Sequence, residues 1–352
     1  MTYDLDDILL TPAVLSTINS RRQVNPYDEN EMLPIMTAPM DTVVDPENFE
    51  FWLENKINVV LPRSQDSFHS CIKNVFASYG LKEFKERFIE NDLDFDQDQE
   101  KYYALIDVAN GHMAQLYYLA KEAKEKYGDK LVLMVGNIAN PDTYKRYAEI
   151  GVDYIRVGIG GGAGCLTSVQ TGVGYGMANL IRSCHGWRIL KDYKTKIVAD
   201  GGIKKFADIN KALALGADYV MLGSMLNKCV ESAGTIYRKG VDNSFYEQEP
   251  YHILDERSKR AYQNIMKTDG LFKNYRGMST KEVQKAWGRE NLKTAEGISK
   301  YNKVEYTVAG FVENLEDYLR SAMSYTGSTN LIEFQRSEKI EITPAVFNRF
   351  NK

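Results

Sequence analysis

A cysteine set in a run of glycines is the densest chemical signal in the chain. Val157-Gly158-Ile159-Gly160-Gly161-Gly162-Ala163-Gly164-Cys165-Leu166-Thr167 is followed, after three residues, by Thr171-Gly172-Val173-Gly174-Tyr175. So many glycines imply a backbone that takes positive φ or closely approaches something bound. Gly158, Gly160 and Ala163 nearly spell a dinucleotide fingerprint. That motif needs a helix to begin inside it, and here two further turn glycines follow instead. No Walker pattern occurs. The reading that remains is a loop presenting one thiol and several carbonyl oxygens. A thiolate there can attack an electron-poor carbon and later leave, and Thr167 supplies a hydroxyl two residues away. The bland alternative is a small residue in a tight turn. Cys71, Cys184 and Cys229 lack this setting and read as packing residues.

Two further stretches carry polar chemistry. Val198-Ala199-Asp200-Gly201-Gly202-Ile203 and Val220-Met221-Leu222-Gly223-Ser224 each place small residues directly after an apolar run. Backbone N–H groups in such turns can cradle a phosphate, glycine permits its close approach, and Ser224 adds a hydroxyl. Asp200, an acceptor beside that cradle, is placed to take hydrogen bonds from ribose hydroxyls. The alternative is a pair of ordinary βα turns.

Something must hold these loops together. Short β-rich runs recur at Leu33 to Ala38, Asn58 to Leu61, Val75 to Tyr79, Ala104 to Val108, Leu131 to Val135, Tyr154 to Val157, Lys196 to Ala199 and Tyr219 to Leu222. Helical patterns lie between them, as at Met113 to Tyr127, Pro141 to Ile150 and Phe206 to Leu215, the last closed by Gly216. Eight strand and helix units before residue 225 predict a TIM (β/α)₈ barrel. In that fold functional residues sit just after the strands. Asp41, Arg63, Gly80, Asp107 to Gly111, Gly136-Asn137, the glycine loop, Asp200 to Gly202 and Gly223-Ser224 all fall there. From about Asn227 to Asn302 the rhythm breaks, which reads as a long lid-like insertion after the last strand. Val312 to Tyr325 looks like a closing helix, and the tail alternates around Ile340 to Ile342.

Composition sets bounds on partners. The 352 residues are 43% apolar and 26% charged, with 44 Lys+Arg against 48 Asp+Glu and a net charge of −4. This suits one globular barrel domain and argues against nucleic acid or a membrane surface, both of which reward excess positive charge. The start, Met1 to Asp7, lacks the features of a secretory signal, and no run approaches a membrane span. Four scattered cysteines and four scattered histidines suggest neither disulfides nor a zinc site, so a reducing cytoplasmic setting is expected.

The motifs together resemble the IMP dehydrogenase and GMP reductase family. They are the glycine loop with Cys165 and Thr167, Ala199 to Ile203, Val220 to Ser224, Tyr275-Arg276-Gly277-Met278-Ser279, Tyr3 to Leu10 and Ala38-Pro39-Met40-Asp41-Thr42-Val43. The resemblance implies a TIM barrel, usually a homotetramer, in which the cysteine attacks purine C2 and a nicotinamide cofactor exchanges hydride with that carbon. The interval between the fourth and fifth strands has no room for the regulatory (CBS-type) insert usual in the dehydrogenases. No Arg-Tyr pair occurs between Met278 and Glu296. Ile106 to Gly111 and Thr171 to Tyr175 are similar to the reductases, so the resemblance implies reductive deamination of GMP to IMP and ammonia with NADPH.

Carried over residue by residue, the catalytic group is Cys165, Thr167 and Glu296, the last within Ala295-Glu296-Gly297. Gly277, Met278 and Ser279 would meet the purine, Asp200 the ribose, and Gly202, Gly223 and Ser224 the phosphate, with Gly201 and Gly297 as further substrate-binding candidates. Asp107, Ala109 and Asn110 would line the cofactor, with Ser20, Arg21, Ser321 and Ser324 at its adenosine end. The carbonyls of Gly160, Gly162 and Cys165 are the candidate site for a monovalent cation such as K⁺. Three departures stand out: Ala163 where the family usually has Ser, Leu61-Pro62-Arg63 where reductases carry a His-Lys-His-like run, and Ser168 in place of an Arg. Alternative readings are an IMP dehydrogenase without the insert and a purine nucleotide-binding barrel without turnover.

Overall fold

In the computed structural model the expected strands form where the sequence is apolar on both faces. The structure describes residues 2–63, 72–91, 101–267, 270–277, 280 and 297–350. A short strand β1 (Ile8–Leu10) precedes the barrel. The barrel strands are β2 (Ile35–Thr37), β3 (Val59–Leu61), β4 (Val75–Tyr79), β5 (Tyr102–Asp107), β6 (Leu131–Ile138), β7 (Tyr154–Val157), β8 (Lys196–Asp200) and β9 (Tyr219–Leu222). All pair in parallel, in the order β2-β9-β8-β7-β6-β5-β4-β3. Val59, Val60 and Leu61 are wholly buried, as are Leu133, Met134 and Val135, as befits strands covered by helices outside and packed side chains within.

The ring closes between β2 and β3. A parallel bridge joins Met36 and Asn58. The Thr37 amide donates to Asn58 O at 2.9 Å, and the buried Thr37 hydroxyl accepts from the Val60 amide at 2.8 Å. A hydroxyl therefore completes the ladder where the short β2 runs out of backbone partners. The eight-stranded sheet with its outer helices is the predicted TIM-type barrel.

One boundary moves. β6 continues to Ile138, with a register shift against β7 between Gly136 and Ile138. Gly136-Asn137 thus lies inside the strand, not after it, and this carries the Asn137 side chain over to Gly158 and Asp200.

The segment expected as a lid contains regular structure. It carries β10 (Ile236–Lys239), β11 (Phe245–Gln248), a helix Glu256–Lys267, β12 (Leu271–Arg276) and β13 (Ser299–Lys303). The strands form an antiparallel sheet, β11-β10-β12-β13, over a small core of Val230, Ile236, Tyr251, Leu271 and Val304. The closing helix spans Val308–Thr326, four residues longer at its start than the periodicity suggests. Thr307 caps it by accepting from the Gly310 amide at 3.1 Å, and Gly327, at φ +74°, ends it. The tail strand β14 (Lys339–Glu341) pairs antiparallel with β1.

Candidate functional site

Every loop that shapes the site leaves the same end of the barrel. Together they enclose a cleft of about 640 Å³. Its lining includes Cys165, Thr167, Asp200, Gly201, Gly202, Gly223, Ser224, Gly277, Asp107, Ala109 and Asn110, so the structure brings most of the predicted residues to one place.

The thiol is held by its own loop. The Cys165 amide donates to Gly162 O at 2.9 Å, and the Cys165 Sγ donates to Thr167 Oγ1 at 3.3 Å. Ser168 stitches the loop from below, its hydroxyl donating to Ile159 O at 3.2 Å and Val173 O at 2.6 Å. A Cβ on Gly160, which sits at φ +82°, would run into that serine. The glycine run therefore exists for packing as well as for turning. The thiol is half-buried, while Cys184 and Cys229 are buried and burial pushes both thiols up, away from nucleophilic use.

The inserted sheet reaches the thiol through its backbone. Cys165 and Gly297 form an antiparallel bridge, Ile298 N donates to Gly164 O at 3.1 Å, and Gly277 N donates to Ile298 O at 3.0 Å. Gly277 and Gly297 thus stand beside Cys165 as expected. Met278, Ser279 and Glu296 lie outside the described residues. Tyr275 closes the wall between sheet and cleft. Burial, then the nearby Asp200 and Cys165, raises its phenol far above the ordinary value, so it stays protonated.

Beside the thiol loop, after β8 and β9, the two predicted turns form a bare backbone surface. Gly201 and Gly202 take φ +100° and +78°. A Cβ on Gly201 would come within 3.1 Å of Gly162 N, so the two glycine loops touch only because neither has a side chain there. Gly223 precedes Ser224 at the start of a short helix, Ser224–Asn227. The amides and hydroxyl of this region are suited to an oxyanion.

Sequence reasoning missed the group that ties the site together. Arg156, on β7, donates to Asp107 Oδ1 at 2.6 Å, and its Nη2 and Nε donate to Asp200 Oδ2 at 2.8 and 3.1 Å. Asn137 Nδ2 donates to the same Asp200 oxygen at 2.7 Å. Burial works against the Arg156 charge, but the Asp200 and Asp107 carboxylates outweigh it and raise its proton affinity. Asp200 is therefore oriented through Oδ2, and among the described residues all its side-chain bonds converge there. Asp107 likewise faces the cleft already bound to an arginine. The available signal was a lone charge inside a strand otherwise apolar on both faces, a residue type almost never buried without partners.

Four cofactor candidates lie elsewhere. Ser20 and Arg21 line a second cavity of about 560 Å³ with Arg22, Asp317 and Arg320, and it shares no lining residue with the main cleft. Ser321 and Ser324 belong to the closing helix, where Ser324 O accepts from the Ser16 hydroxyl at 3.1 Å. Within one chain the structure does not bring these four to Cys165. Of the candidate cation ligands, Gly160, Gly162 and Cys165 all line the main cleft, and Gly162 O already accepts the Cys165 amide. Among the described residues no cluster of three His, Cys, Asp or Glu is placed to hold a metal.

Fold and site define a (β/α)₈-barrel protein with a loop-borne thiol and two glycine turns lining one cleft. Residues 97–248 match the family model described as the IMP dehydrogenase / GMP reductase domain. A GMP reductase from Lactobacillus delbrueckii subsp. bulgaricus is 30% identical, over 98% of this chain and 96% of its own length. A GMP reductase from Lactobacillus acidophilus is also 30% identical over 98% and 96%, and one from Bacillus subtilis is 27% identical over 98% of both. The chain belongs to the IMP dehydrogenase/GMP reductase family.

Proposed function

We propose that the protein is a GMP reductase, converting GMP to IMP and ammonia with NADPH. The observation that carries the reading is the Cys165 thiol with the Thr167 hydroxyl 3.3 Å away, in a loop bridged to Gly297, the residue after Glu296. In this assignment Cys165 forms the C2–S bond and the exocyclic amino group departs as ammonia. Thr167 and Glu296 handle the proton it takes with it, a relay that a hydroxyl and a carboxylate can share. Thiolate then leaves C2 as the carbon gains hydride, and IMP results. Asp200, oriented by Arg156 and Asn137, would bind the ribose. Gly202, Gly223 and Ser224 would hold the phosphate, and Gly277, Met278, Ser279 and Gly297 the purine edge.

A nicotinamide cofactor, when bound, supplies the hydride. The cleft fits its reactive end, because it continues past the thiol across Asp107, Ala109 and Asn110 to the rim at Arg63. Ser20, Arg21, Ser321 and Ser324 lie off the cleft of their own chain, so their assignment to the adenosine end requires a neighbouring subunit, in keeping with a homotetramer. The carbonyls of Gly160, Gly162 and Cys165 are hard oxygen donors of the kind a monovalent cation takes, and no step is assigned to one.

Incubation of the purified protein with GMP plus NADPH, and separately with IMP plus NAD⁺, tests the reading by nicotinamide absorbance. NADPH consumption in the first mixture is expected. Nicotinamide reduction in the second mixture alone would establish the dehydrogenase instead.

A further inference from the structure

Ala109 and Asn110 line the cleft, and the residues on either side of them are tied to β6. Val108 N donates to Gly136 O at 3.1 Å, Asn137 N donates to Val108 O at 2.8 Å, and Gly111 N donates to Asn137 O at 2.7 Å. A Cβ on Gly111 would fall 2.6 Å from that same Asn137 oxygen, so the loop lies this close only because a glycine stands there. The Tyr147 hydroxyl, on the helix Pro141–Glu149, donates to Gly111 O at 2.9 Å. The two cleft-lining residues thus form a short arch with both feet bonded.

His112 closes the second foot. Its Nε2 accepts the Ala139 amide at 3.0 Å, just after β6, and its Nδ1 lies 3.0 Å from the Thr143 hydroxyl on the helix Pro141–Glu149. Its own amide donates to Asn110 Oδ1 at 3.1 Å, which fixes that side chain too. A backbone N–H can only donate, so Nε2 carries no proton, and the ring proton sits on Nδ1 and goes to Thr143. Only the neutral imidazole makes both bonds. A proton on Nε2 would set one N–H against another at Ala139. The residue is exposed although both ring nitrogens face protein, and partial burial lowers its basicity below the ordinary 6.5. Among the described residues no charged side chain contributes to that shift. The polar groups around the ring and its loop are Asn110, Thr143 and Tyr147.

We propose that His112 is a positioning residue for the cofactor, a neutral imidazole that pins the Asp107–Gly111 loop to the turn after β6 and releases it on protonation. The proposal rests on the nicotinamide reading above, in which Asp107, Ala109 and Asn110 line the cofactor. The two feet of the arch differ in kind. Asp107 is held by Arg156, whose guanidinium keeps its proton, whereas the His112 end is held by a ring that titrates. As pH falls the Ala139 bond is lost, the arch loosens and the nicotinamide dinucleotide binds less tightly. A histidine that met the cofactor's phosphates directly would do the reverse, because its cation would attract them.

Titrating the full-length chain with NADPH at pH 8 and at pH 5.5, followed by nicotinamide fluorescence, reads the pin without turnover. Between those values the parent should lose about threefold more affinity than His112→Gln, whose amide oxygen and nitrogen can take the two ring roles without titrating. The cofactor's 2′-phosphate titrates in the same range, but equally for both proteins. His112→Ala should bind NADPH about tenfold more weakly than the parent at pH 8, the worth of one or two hydrogen bonds. GMP affinity by calorimetry at pH 8 should stay within twofold in both variants, which also certifies the fold. Equal losses in the parent and His112→Gln, or parent binding that tightens relative to His112→Gln as pH falls, would overturn the proposal. So would a loss of GMP affinity that matches the loss for NADPH. A parent that binds NADPH without reducing GMP defeats the functional reading while still judging His112, and a parent that binds no NADPH defeats both.

Discussion

The barrel and the inserted sheet meet at Cys165, yet they are built on opposite rules. Barrel strands are apolar on both faces and carry their chemistry in the loops that follow. The strands of the inserted sheet read Ile236-Tyr237-Arg238-Lys239, Phe245 to Gln248 and Ser299 to Lys303, and they bury polar groups: Lys273 is 1% exposed and Asn302 8%. The barrel positions the nucleophile mainly by hydrophobic packing, with the Arg156, Asp107 and Asp200 cluster at its loop end. The sheet that covers it is held by buried amides and charges, among them Asn302 donating to Asn227 Oδ1 at 2.8 Å and Lys273 donating to Ser232 O at 2.5 Å. One half is a scaffold, and the other is a polar clasp laid across it.

The largest effect tests the barrel side of that comparison. Cys165→Ala should lower GMP turnover by about a thousandfold or more, because no other group can form the bond to C2, while GMP affinity by calorimetry changes little. A variant retaining a tenth of parent activity would rule out covalent chemistry at this thiol. Arg156→Met comes next. It leaves Asp107 and Asp200, 13% and 16% exposed, without their cation, and should cost about 3–5 kcal/mol in denaturant unfolding. Replacing Arg156 together with both aspartates by apolar or amide residues should recover much of that loss.

The contrast explains what could be read in advance. The barrel strands announce themselves as short, mostly apolar runs ended by Gly, Asn, Asp or Pro. The loops between them expose Cys165, Thr167 and Asp200 by the same punctuation. Arg156 is invisible to that reading because its partners are 49 and 44 residues away and become neighbours only when β5, β7 and β8 lie side by side. The inserted sheet escapes because its buried face holds Lys273 and Asn302, so alternation of apolar and polar residues is scrambled where it would have signalled a strand. Asn137 stands out at the end of its run, but its reach to Asp200 depends on the register shift at the end of β6, a feature of pairing with no residue signature.

The clasp should give the fold a pH dependence of its own. Burial raises Glu231 from the ordinary 4.5 to about 7, opposed by backbone N–H bonds including one from Val308. Burial lowers Lys273 from 10.5 to about 7, opposed by the Glu231 and Cys229 charges. Between pH 4.5 and 7 the folded chain holds a proton on Glu231 that the unfolded chain has released, so stability falls as pH rises. Between pH 7 and 10.5 the unfolded chain holds a proton on Lys273 that the folded one lacks, so stability rises with pH. This pair alone thus contributes a minimum near pH 7, with stability regained toward either side. Denaturant unfolding of Glu231→Gln/Lys273→Met across pH 5 to 10 should be flatter than the parent. Equal curvature in both would remove the clasp as a titrating element.

The smallest effects separate contact from conformation. Gly172 ends the helix Thr167–Thr171 at φ +71°, its amide bonding to Ser168 O, and a Cβ there meets nothing within 4 Å. Gly172→Ala therefore pays only for the left-handed backbone, about 1 kcal/mol of unfolding free energy, and GMP affinity should stay within twofold. Gly277 is the opposite case. A Cβ on it would press on the Gly164 carbonyl and come within 3.1 Å of the Gly297 Cα, at the seam where the sheet lies on the thiol loop. Gly277→Ala should cost a similar unfolding free energy but lower GMP affinity by about tenfold, because the strain is relieved by lifting the sheet from the barrel where the purine would sit. Calorimetric titration of the two variants side by side decides the matter. If Gly277→Ala binds GMP as well as Gly172→Ala does, the sheet is a cover over the cleft and contributes no wall to it.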